Sequence, residues 1–204
     1  MQLSTTARRL RRLTVRVAVA AVAVAAVVVG TGQAANAANP SPIRNPNSGM
    51  CLQPLPVNGG SIYDNGVPVW QAPCNGSPEQ NWARVYLSSG ANNCGFPWFF
   101  GRCGFDPIDN IYYVVNQLTL ACLDVTDGNS ANHTPIQQWQ CNGGSSEKWW
   151  LPSPNVPQGS LSTYTNYRTN KCLDVPNQTV FQSSMQEYNC FDGMDNVAQV
   201  FTIP

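Results

Sequence analysis

Hydrophobic positions after about residue 40 fall into short runs rather than helical stripes. The runs are rich in β-branched and aromatic residues and are bounded by clusters of Gly, Pro, Asn and Ser, a pattern typical of strands separated by turns. No window after the N-terminal segment shows apolar residues at helical spacing. The predicted strands cover residues 111–115, 117–125, 135–141, 161–167 and 199–203. The pattern therefore predicts an all-β fold.

The N-terminal segment, residues 1–37, has a different pattern. Five arginines precede a run of thirteen Val and Ala residues at 17–29, and Ala35-Asn36-Ala37 is a small-x-small cleavage signal. Because thirteen apolar residues are too few to span a bilayer, we expect a secretory signal peptide and an extracellular mature protein. A twin-arginine signal at Arg8-Arg9 and an uncleaved anchor helix remain as alternatives. Residues 38–47, rich in Pro and Asn, are expected to form a flexible lead-in.

One sequence unit occurs three times, at about 50–85, 121–151 and 171–203. The second and third copies open with CLDV, continue with Q-x-aromatic-x-C and close near a further aromatic residue, whereas the first copy keeps this pattern only in part. About 21 additional residues, near 87–107, follow the first copy. Three imperfect copies indicate a fold built by internal repetition.

All eight cysteines follow the leader, and an even number in an exported chain indicates a disulfide framework. Pairing within each copy, with one bridge left for the insert, gives Cys51–Cys74, Cys122–Cys141, Cys172–Cys190 and Cys94–Cys103. A metal site is the rival interpretation, but the chain has no C-x-x-C pair and His133 is its only histidine. We therefore predict neither a metal nor a cofactor.

Each copy places chemically useful side chains at fixed distances from its cysteines. If Cys122 and Cys141 join two antiparallel strands, Asp124 is expected opposite Trp139, with Gln137 on the same face. A carboxylate and an amide bond to hydroxyl groups, and an aromatic ring covers the apolar face of a sugar. This set of side chains is typical of a site for a neutral polyol.

The same counting in the third copy reaches Asp174, Gln186 and Tyr188. In the first copy it reaches Gln53, Trp70 and Ala72, which removes both the charge and the aromatic ring at the expected position. Two working sites are therefore predicted. The alternative interpretation is that each Asp caps a turn at the end of a strand.

Net charge narrows the choice of partner. Without the leader, six Lys and Arg face eleven Asp and Glu, a net charge near −5. Nucleic acid and anionic membrane require a basic surface, so neither is expected as a partner. We expect a single domain that acts as a monomer on glycans.

The CLDV openings, the Q-x-W-x-C spacing and the closing Q-x-W resemble the ricin B-type lectin domain, a β-trefoil carbohydrate-binding module. The resemblance covers almost the whole mature chain, with the domain at 48–204. It implies a β-trefoil with one shallow sugar site for each complete copy. Its carbohydrate-binding residues fall on Asp124, Gln137, Trp139, Asp174, Gln186 and Tyr188.

The chain departs from the family pattern near the closing motif. The family's Asn before Q-x-W falls on Glu147 and near Ala198, and the closing Gln of the second copy falls on Lys148. The family's core aromatic residues fall on Trp82, Trp150 and Phe201.

Three functions follow from these patterns. The first is a secreted, non-catalytic lectin that binds galactose- or xylose-type glycans at two sites. The second is an interaction or inhibitor protein that uses the aromatic insert. The third is a small glycosidase, whose available carboxylates are Glu79, Glu147, Asp106 and Asp109. No recognisable catalytic motif accompanies these carboxylates, so we predict no enzymatic activity.

Overall fold

The computed structural model of the protein describes residues 39–89, 110–191 and 196–204. The predicted leader and the Cys94–Cys103 bridge lie outside the described residues, as does most of the predicted insert. Among the residues described, no helix has the length and apolar character needed to cross a membrane.

The described part of the chain is all-β, as predicted, with short 3-10 turns between strands. The strands are β1 (Ser41–Pro42), β2 (Cys51–Pro54), β3 (Val67–Ala72), β4 (Asn81–Ser89), β5 (Asn110–Asn116), β6 (Ala121–Val125), β7 (Thr134–Gln140), β8 (Lys148–Leu151), β9 (Leu161–Ser162), β10 (Thr165–Asn166), β11 (Cys172–Asp174), β12 (Ser183–Ser184), β13 (Gln186–Tyr188) and β14 (Phe201–Thr202). The 3-10 turns are Pro78–Gln80, Thr126–Gly128, Ser145–Glu147 and Pro176–Gln178.

A closed barrel organises these strands. Antiparallel pairing runs in the order β1, β4, β5, β8 and β10, and β9 pairs with β14. The ring closes because the backbone N–H of Thr202 donates to the carbonyl of Arg44, just after β1, at 2.9 Å. Each copy adds one hairpin, formed by β2 and β3, by β6 and β7, or by β11 and β13. The architecture is the predicted β-trefoil.

The segment expected to be a flexible lead-in is instead the first strand of the barrel. Ser41 pairs with Trp82, and Ile43 is fully buried in the core. The prediction was wrong because Pro and Asn suggest a loop when local sequence alone is considered. At an edge strand and a buried turn, however, both residue types are readily accommodated.

Three buried asparagines hold equivalent turns. Asn45, Asn116 and Asn166 each lie six residues before the first cysteine of a copy and are at most 1% exposed. Each Oδ1 accepts a backbone N–H two or three residues further along its own turn. Each Nδ2 donates at 2.7 Å to a carbonyl at the closing end of a neighbouring copy. The asparagines therefore join the copies to one another.

Each copy contributes one aromatic residue of its closing motif and one leucine to the core. Trp82 and Trp149 are fully buried, and their Nε1–H groups donate at 2.9 Å to the carbonyls of Leu52 and Leu123. Phe201 is buried at the same place in the third copy. The assignment of Trp150 as a core residue is therefore wrong by one position.

Strand alternation explains the correction. Along β8, Trp149 points inward, and Trp150 points outward and packs on Tyr167 with ring centroids 5.4 Å apart. The closing motif of the second copy is therefore Glu147-Lys148-Trp149. Two adjacent tryptophans left this register ambiguous in the sequence.

Three of the predicted disulfides are present, Cys51–Cys74, Cys122–Cys141 and Cys172–Cys190. Each joins the start of a hairpin to a cysteine that lies one or two residues beyond its second strand. By closing loops of 18–23 residues, each bridge stabilises the domain by about 3 kcal/mol.

One buried carboxyl group lacks a complete set of partners. Glu187 is fully buried, and its Oε2 accepts a hydrogen bond from Thr169 Oγ1 at 2.6 Å. Its Oε1 has no partner among the described residues. The equivalent residues, Gln71 and Gln138, use their amide groups to donate to carbonyls of the neighbouring loop. Burial raises the pKa of Glu187, and Thr169 and Lys171 lower it in part.

Replacement of Trp149 by Ala is expected to destabilise the domain by about 3–5 kcal/mol, because it leaves a core cavity and an unpaired carbonyl. Replacement of Trp150 by Ala is expected to cost only about 1 kcal/mol, since mainly its contact with Tyr167 is lost. Urea unfolding followed by circular dichroism compares the two variants. Equal losses of stability would contradict the assigned register.

Glu187→Gln is expected to stabilise the protein by about 1–3 kcal/mol at neutral pH, because an amide satisfies the site without a buried charge. The raised pKa means that the native state binds a proton more readily than the unfolded chain. The ionised carboxyl group of Glu187 therefore destabilises the native state most at pH values above its native pKa. The stability gained by Glu187→Gln disappears below the ordinary pKa of 4.5, where the carboxyl group is protonated in both states. Urea unfolding at neutral and acidic pH measures this dependence.

The matched control is Gln138→Glu, which makes the reverse change at the equivalent position, where Thr119 Oγ1 also donates to the side chain at 2.8 Å. It should destabilise the protein at neutral pH. A neutral or stabilising effect of the control would show that the buried charge is not the cause.

Candidate functional site

The second site comprises Asp124 on β6 with Gln137 and Trp139 on β7. The strand register differs from the prediction: Asp124 lies opposite Gln137, and Trp139 lies opposite Cys122. The predicted register assumed that bonded cysteines face each other directly. Cys141 instead lies one residue beyond β7, so the bridge is diagonal and the register shifts by two residues. Because the shift is even, all three site side chains keep the predicted face.

A buried hydrogen bond forms the floor of the second site. Gln137 Nε2 donates to Asp124 Oδ2 at 2.8 Å, and the two residues are 8% and 5% exposed. Trp139 is 37% exposed beside them, so its ring presents an apolar face to solvent. The hydrogen bond explains how a carboxylate is accommodated in this position.

Burial dominates the electrostatics of Asp124 and raises its pKa. Hydrogen bonds from Gln137 and Ser146 stabilise the charged form and lower the pKa in part, whereas Asp127 raises it. Asp124 therefore supplies an acceptor whose charge is compensated mainly by hydrogen bonds.

The third site repeats this arrangement with Asp174 on β11 and with Gln186 and Tyr188 on β13. Gln186 Nε2 donates to Asp174 Oδ2 at 2.7 Å, opposite it in the ladder, and Tyr188 is half-buried beside the pair. Burial raises the pKa of Asp174, and Gln186, Gln199 and His133 lower it. The described hydrogen bonds of both aspartates go to side chains rather than to turn backbone, which disfavours the turn-capping interpretation.

The closing glutamine supports the aspartate from below. Gln199 Nε2 donates to Asp174 Oδ1 at 3.2 Å and to the carbonyl of Asn189 at 3.0 Å. In the first copy, Gln80 makes the same bonds to Gln53 and to the carbonyl of Pro73.

In the second copy Glu147 occupies the position of the closing glutamine. The sequence analysis had assigned Glu147 to the Asn that precedes the closing motif, one position too early. Glu147 accepts bonds from the backbone of Asn142 and Gly143 and, having no donor, cannot support Asp124 as an amide would. Burial raises its pKa, the backbone bonds lower it, and nearby Asp124 raises it. Ser146, not Glu147, is therefore the residue that precedes the closing motif, and Ser146 partly lowers the pKa of Asp124.

The first copy carries neither a carboxylate nor an aromatic plate at the equivalent place. Gln53 Oε1 is occupied by Gln80 Nε2 at 2.8 Å. Trp70 lies opposite Gln53, where the other copies have glutamine, and Ala72 is buried where they have the aromatic ring. The described geometry thus separates the first copy from the other two.

Two side chains near the third site were not predicted from the sequence. His133 Nδ1 lies 3.0 Å from Gln186 Oε1, and its ring contacts Tyr188 edge-on with centroids 5.0 Å apart. Phe191 is 52% exposed and parallel to Tyr188 within 5°. With Asp174 and Gln186 these rings line a cavity of about 540 Å³. His133 could have been found by alignment of the copies, because it lies eight residues before the second cysteine, where the first copy has Gly66.

Comparisons with known proteins concern the fold and the family. Residues 98–188 match the family model described as ricin-type β-trefoil lectin domain-like. A search of curated protein sequences finds no significant match.

Similar solved structures include the designed three-fold symmetric protein ThreeFoil, with a TM-score of 0.57, 20% identity and coverage of 78% of this chain and 94% of that one. An exo-β-1,3-galactanase from Clostridium thermocellum gives a TM-score of 0.59 at 21% identity, with coverage of 79% of this chain and 29% of that one. A lectin from Polyporus squamosus, bound to Neu5Acα2-6Galβ1-4GlcNAc, gives a TM-score of 0.54 at 14% identity, with coverage of 79% and 46%.

The chain spans less than half the length of the galactanase and of the fungal lectin. At these identities the structures establish the fold, and the family model identifies its type. The resemblance inferred from the repeated motifs is confirmed over residues 98–188, which match the ricin-type β-trefoil lectin-like family model, and the fold of the described chain is a β-trefoil.

Proposed function

We propose that the protein is a secreted, non-catalytic lectin that binds galactose- or xylose-type glycans at its second and third sites. The observation that carries the proposal is the buried Asp–Gln pair beside an aromatic ring that is at least partly exposed. It occurs twice, at 2.8 and 2.7 Å, and is absent from the first copy.

The chemistry of this group suits a sugar. The carboxylate accepts hydrogen bonds from adjacent hydroxyl groups, and the ring packs against the C–H face of the pyranose. Because Asp124 and Asp174 are already fixed by their glutamines, little side-chain order is lost on binding. The family type supports a carbohydrate-binding role, and the Polyporus squamosus lectin with the same fold is bound to a galactose-containing glycan.

The described carboxylates favour binding over hydrolysis. Glu147 is 1% exposed and engaged by backbone N–H groups, so it is poorly placed to protonate a leaving group. Asp124 and Asp174 belong to different copies, and each is hydrogen-bonded to a glutamine. Glu147, the carboxylate near Asp124, is itself buried. These observations support a non-catalytic protein.

The double variant Asp124→Ala/Asp174→Ala is expected to lose glycan binding, because both acceptors disappear. Each single variant should retain one site and lose the gain that two linked sites give on a polymeric glycan. A glycan array that includes galactosides and xylan fragments measures this. Gln53→Ala, the equivalent change in the first copy, is the matched control and should bind like the parent. Undiminished binding by the double variant would contradict the proposal.

Binding is expected to weaken reversibly as the pH falls through the native pKa values of Asp124 and Asp174, which burial places above the ordinary 3.8. Protonation removes the charged acceptor. A raised pKa also means that protonation of these groups favours the folded state, so their titration does not unfold the domain. Calorimetry measures the binding of galactose or xylose, and near-ultraviolet circular dichroism over the same pH range reports whether the domain stays folded. Together they distinguish loss of binding from unfolding. Full binding down to pH 3.8 would contradict the assigned role.

A further inference from the structure

The second and third sites share the Asp–Gln pair that forms the floor. They differ in the flanking residues that form the walls. The second site is flanked by Gly66 and the third site by His133. Each of these two residues lies eight residues before the second cysteine of the preceding copy. One residue after the second cysteine, the second copy has Asn142 and the third has Phe191. Both differences add an aromatic ring to the third site only.

Gly66 and His133 occupy the same backbone position. Their φ angles are 81° and 71°, and their N–H groups donate at 2.9 Å to the carbonyls of Gln138 and Glu187. A positive φ favours glycine, so His133 is strained where Gly66 is not. The strain accompanies a specific contact, since the imidazole lies on Gln186 and Tyr188.

His133 changes the hydrogen-bonding groups that the third site offers. Gln186 Nε2 already donates to Asp174, so its Oε1 accepts a hydrogen bond from His133 Nδ1. When the exposed imidazole is uncharged, that bond leaves its Nε2 as an acceptor. In the second site Gln137 Oε1 faces Gly66, which has no side chain to occupy it. The third site therefore presents a ring nitrogen where the second presents an amide oxygen.

The loop that carries His133 is fixed to the third copy. Asn132 Oδ1 accepts from Lys171 Nζ at 2.6 Å and from the backbone N–H of Asn189 at 3.1 Å. Lys171 Nζ also donates to Asn189 Oδ1 at 2.5 Å. These bonds hold the loop of one copy against the site of the next.

Phe191 extends the apolar surface on the other flank. Its ring is parallel to Tyr188, with centroids 6.1 Å apart, and both rings line the same cavity as Asp174. Burial of a half-exposed phenyl ring against a ligand is favourable, and the C–H face of a pyranose has a suitable apolar surface. Together the two rings enlarge the apolar surface of this cavity.

On the basis of the proposed lectin function, we propose that the third site is a cleft shared by two copies and binds a neutral disaccharide unit. One sugar stacks on Tyr188 and bonds to Asp174, and the next stacks on Phe191. His133 Nε2 accepts a hydroxyl hydrogen from the bound unit. The second site, without these two rings, binds a single sugar.

The test isolates each site in the full mature chain. Asp124→Ala leaves only the third site, and Asp174→Ala leaves only the second. Calorimetry or NMR titration then compares galactose with lactose and xylose with xylobiose. We expect at least one disaccharide to bind the third site about 10-fold more tightly than its monosaccharide, the gain of one additional stacking contact. At the second site the two affinities should agree within about twofold, since only one sugar is held there.

Phe191→Asn, which installs the residue of the second copy, should remove the disaccharide preference of the third site. Phe181→Asn is the matched control, because Phe181 is 76% exposed and does not line the cavity. His133→Gly should alter the ratio between disaccharide and monosaccharide at the third site and leave the second site unaffected.

The outcomes separate this proposal from the lectin function. Monosaccharide binding at the third site without a disaccharide gain, or a gain that survives Phe191→Asn, would overturn the extended cleft and leave the lectin function intact. Absence of binding by all four sugars at both sites would overturn both proposals.

Discussion

The three copies hold together because buried asparagines satisfy backbone groups that no strand ladder reaches. A turn at the base of each hairpin has N–H groups directed into the domain, and the closing end of the neighbouring copy leaves carbonyls there. Asn45, Asn116 and Asn166 meet both needs, with the Nδ2–carbonyl distance at 2.7 Å in every copy. An unpaired buried polar group costs about 1–3 kcal/mol, so an apolar replacement would leave several such costs at once. The repeat therefore depends on a polar contact as much as on its apolar core.

The same rule governs the sites. A carboxylate that is only 5% exposed is tolerated when hydrogen bonds replace its hydration, and a glutamine on the facing strand does this in both copies. In the third copy Gln199 supplies a second donor, whereas the second copy has Glu147 in its place and draws on Ser146. Glu147 is accommodated because the backbone of Asn142 and Gly143 turns toward it. The negative charge that Glu147 adds beneath the second site is thus compensated by backbone N–H groups of the same copy.

Much of the fold and most of the site side chains were predictable from the sequence. The period-two alternation and the repeated motifs are local signals, and they placed Asp124 and Asp174 on the correct face. The strand register was not predictable, because a disulfide links nearby backbones without requiring that its cysteines lie opposite each other. The pair Trp149-Trp150 was ambiguous for a similar reason, since only tertiary packing decides which ring points inward. The first strand was missed because its partner, β4, lies about 40 residues away in the sequence.

His133 was missed for a more general reason, which is that the wall of each hairpin belongs to the preceding copy. The loop before β3 packs against β7 through Gly66, and the loop before β7 packs against β13 through His133. The loop before β12 likewise contacts β3, where Gln71 Nε2 donates to the carbonyl of Phe181 at 2.7 Å. A search within one copy therefore finds the floor of a site but not its wall. It also follows that a substitution in one copy changes the wall of the hairpin in the next copy, so the walls can diverge without a change in the residues that form the floors.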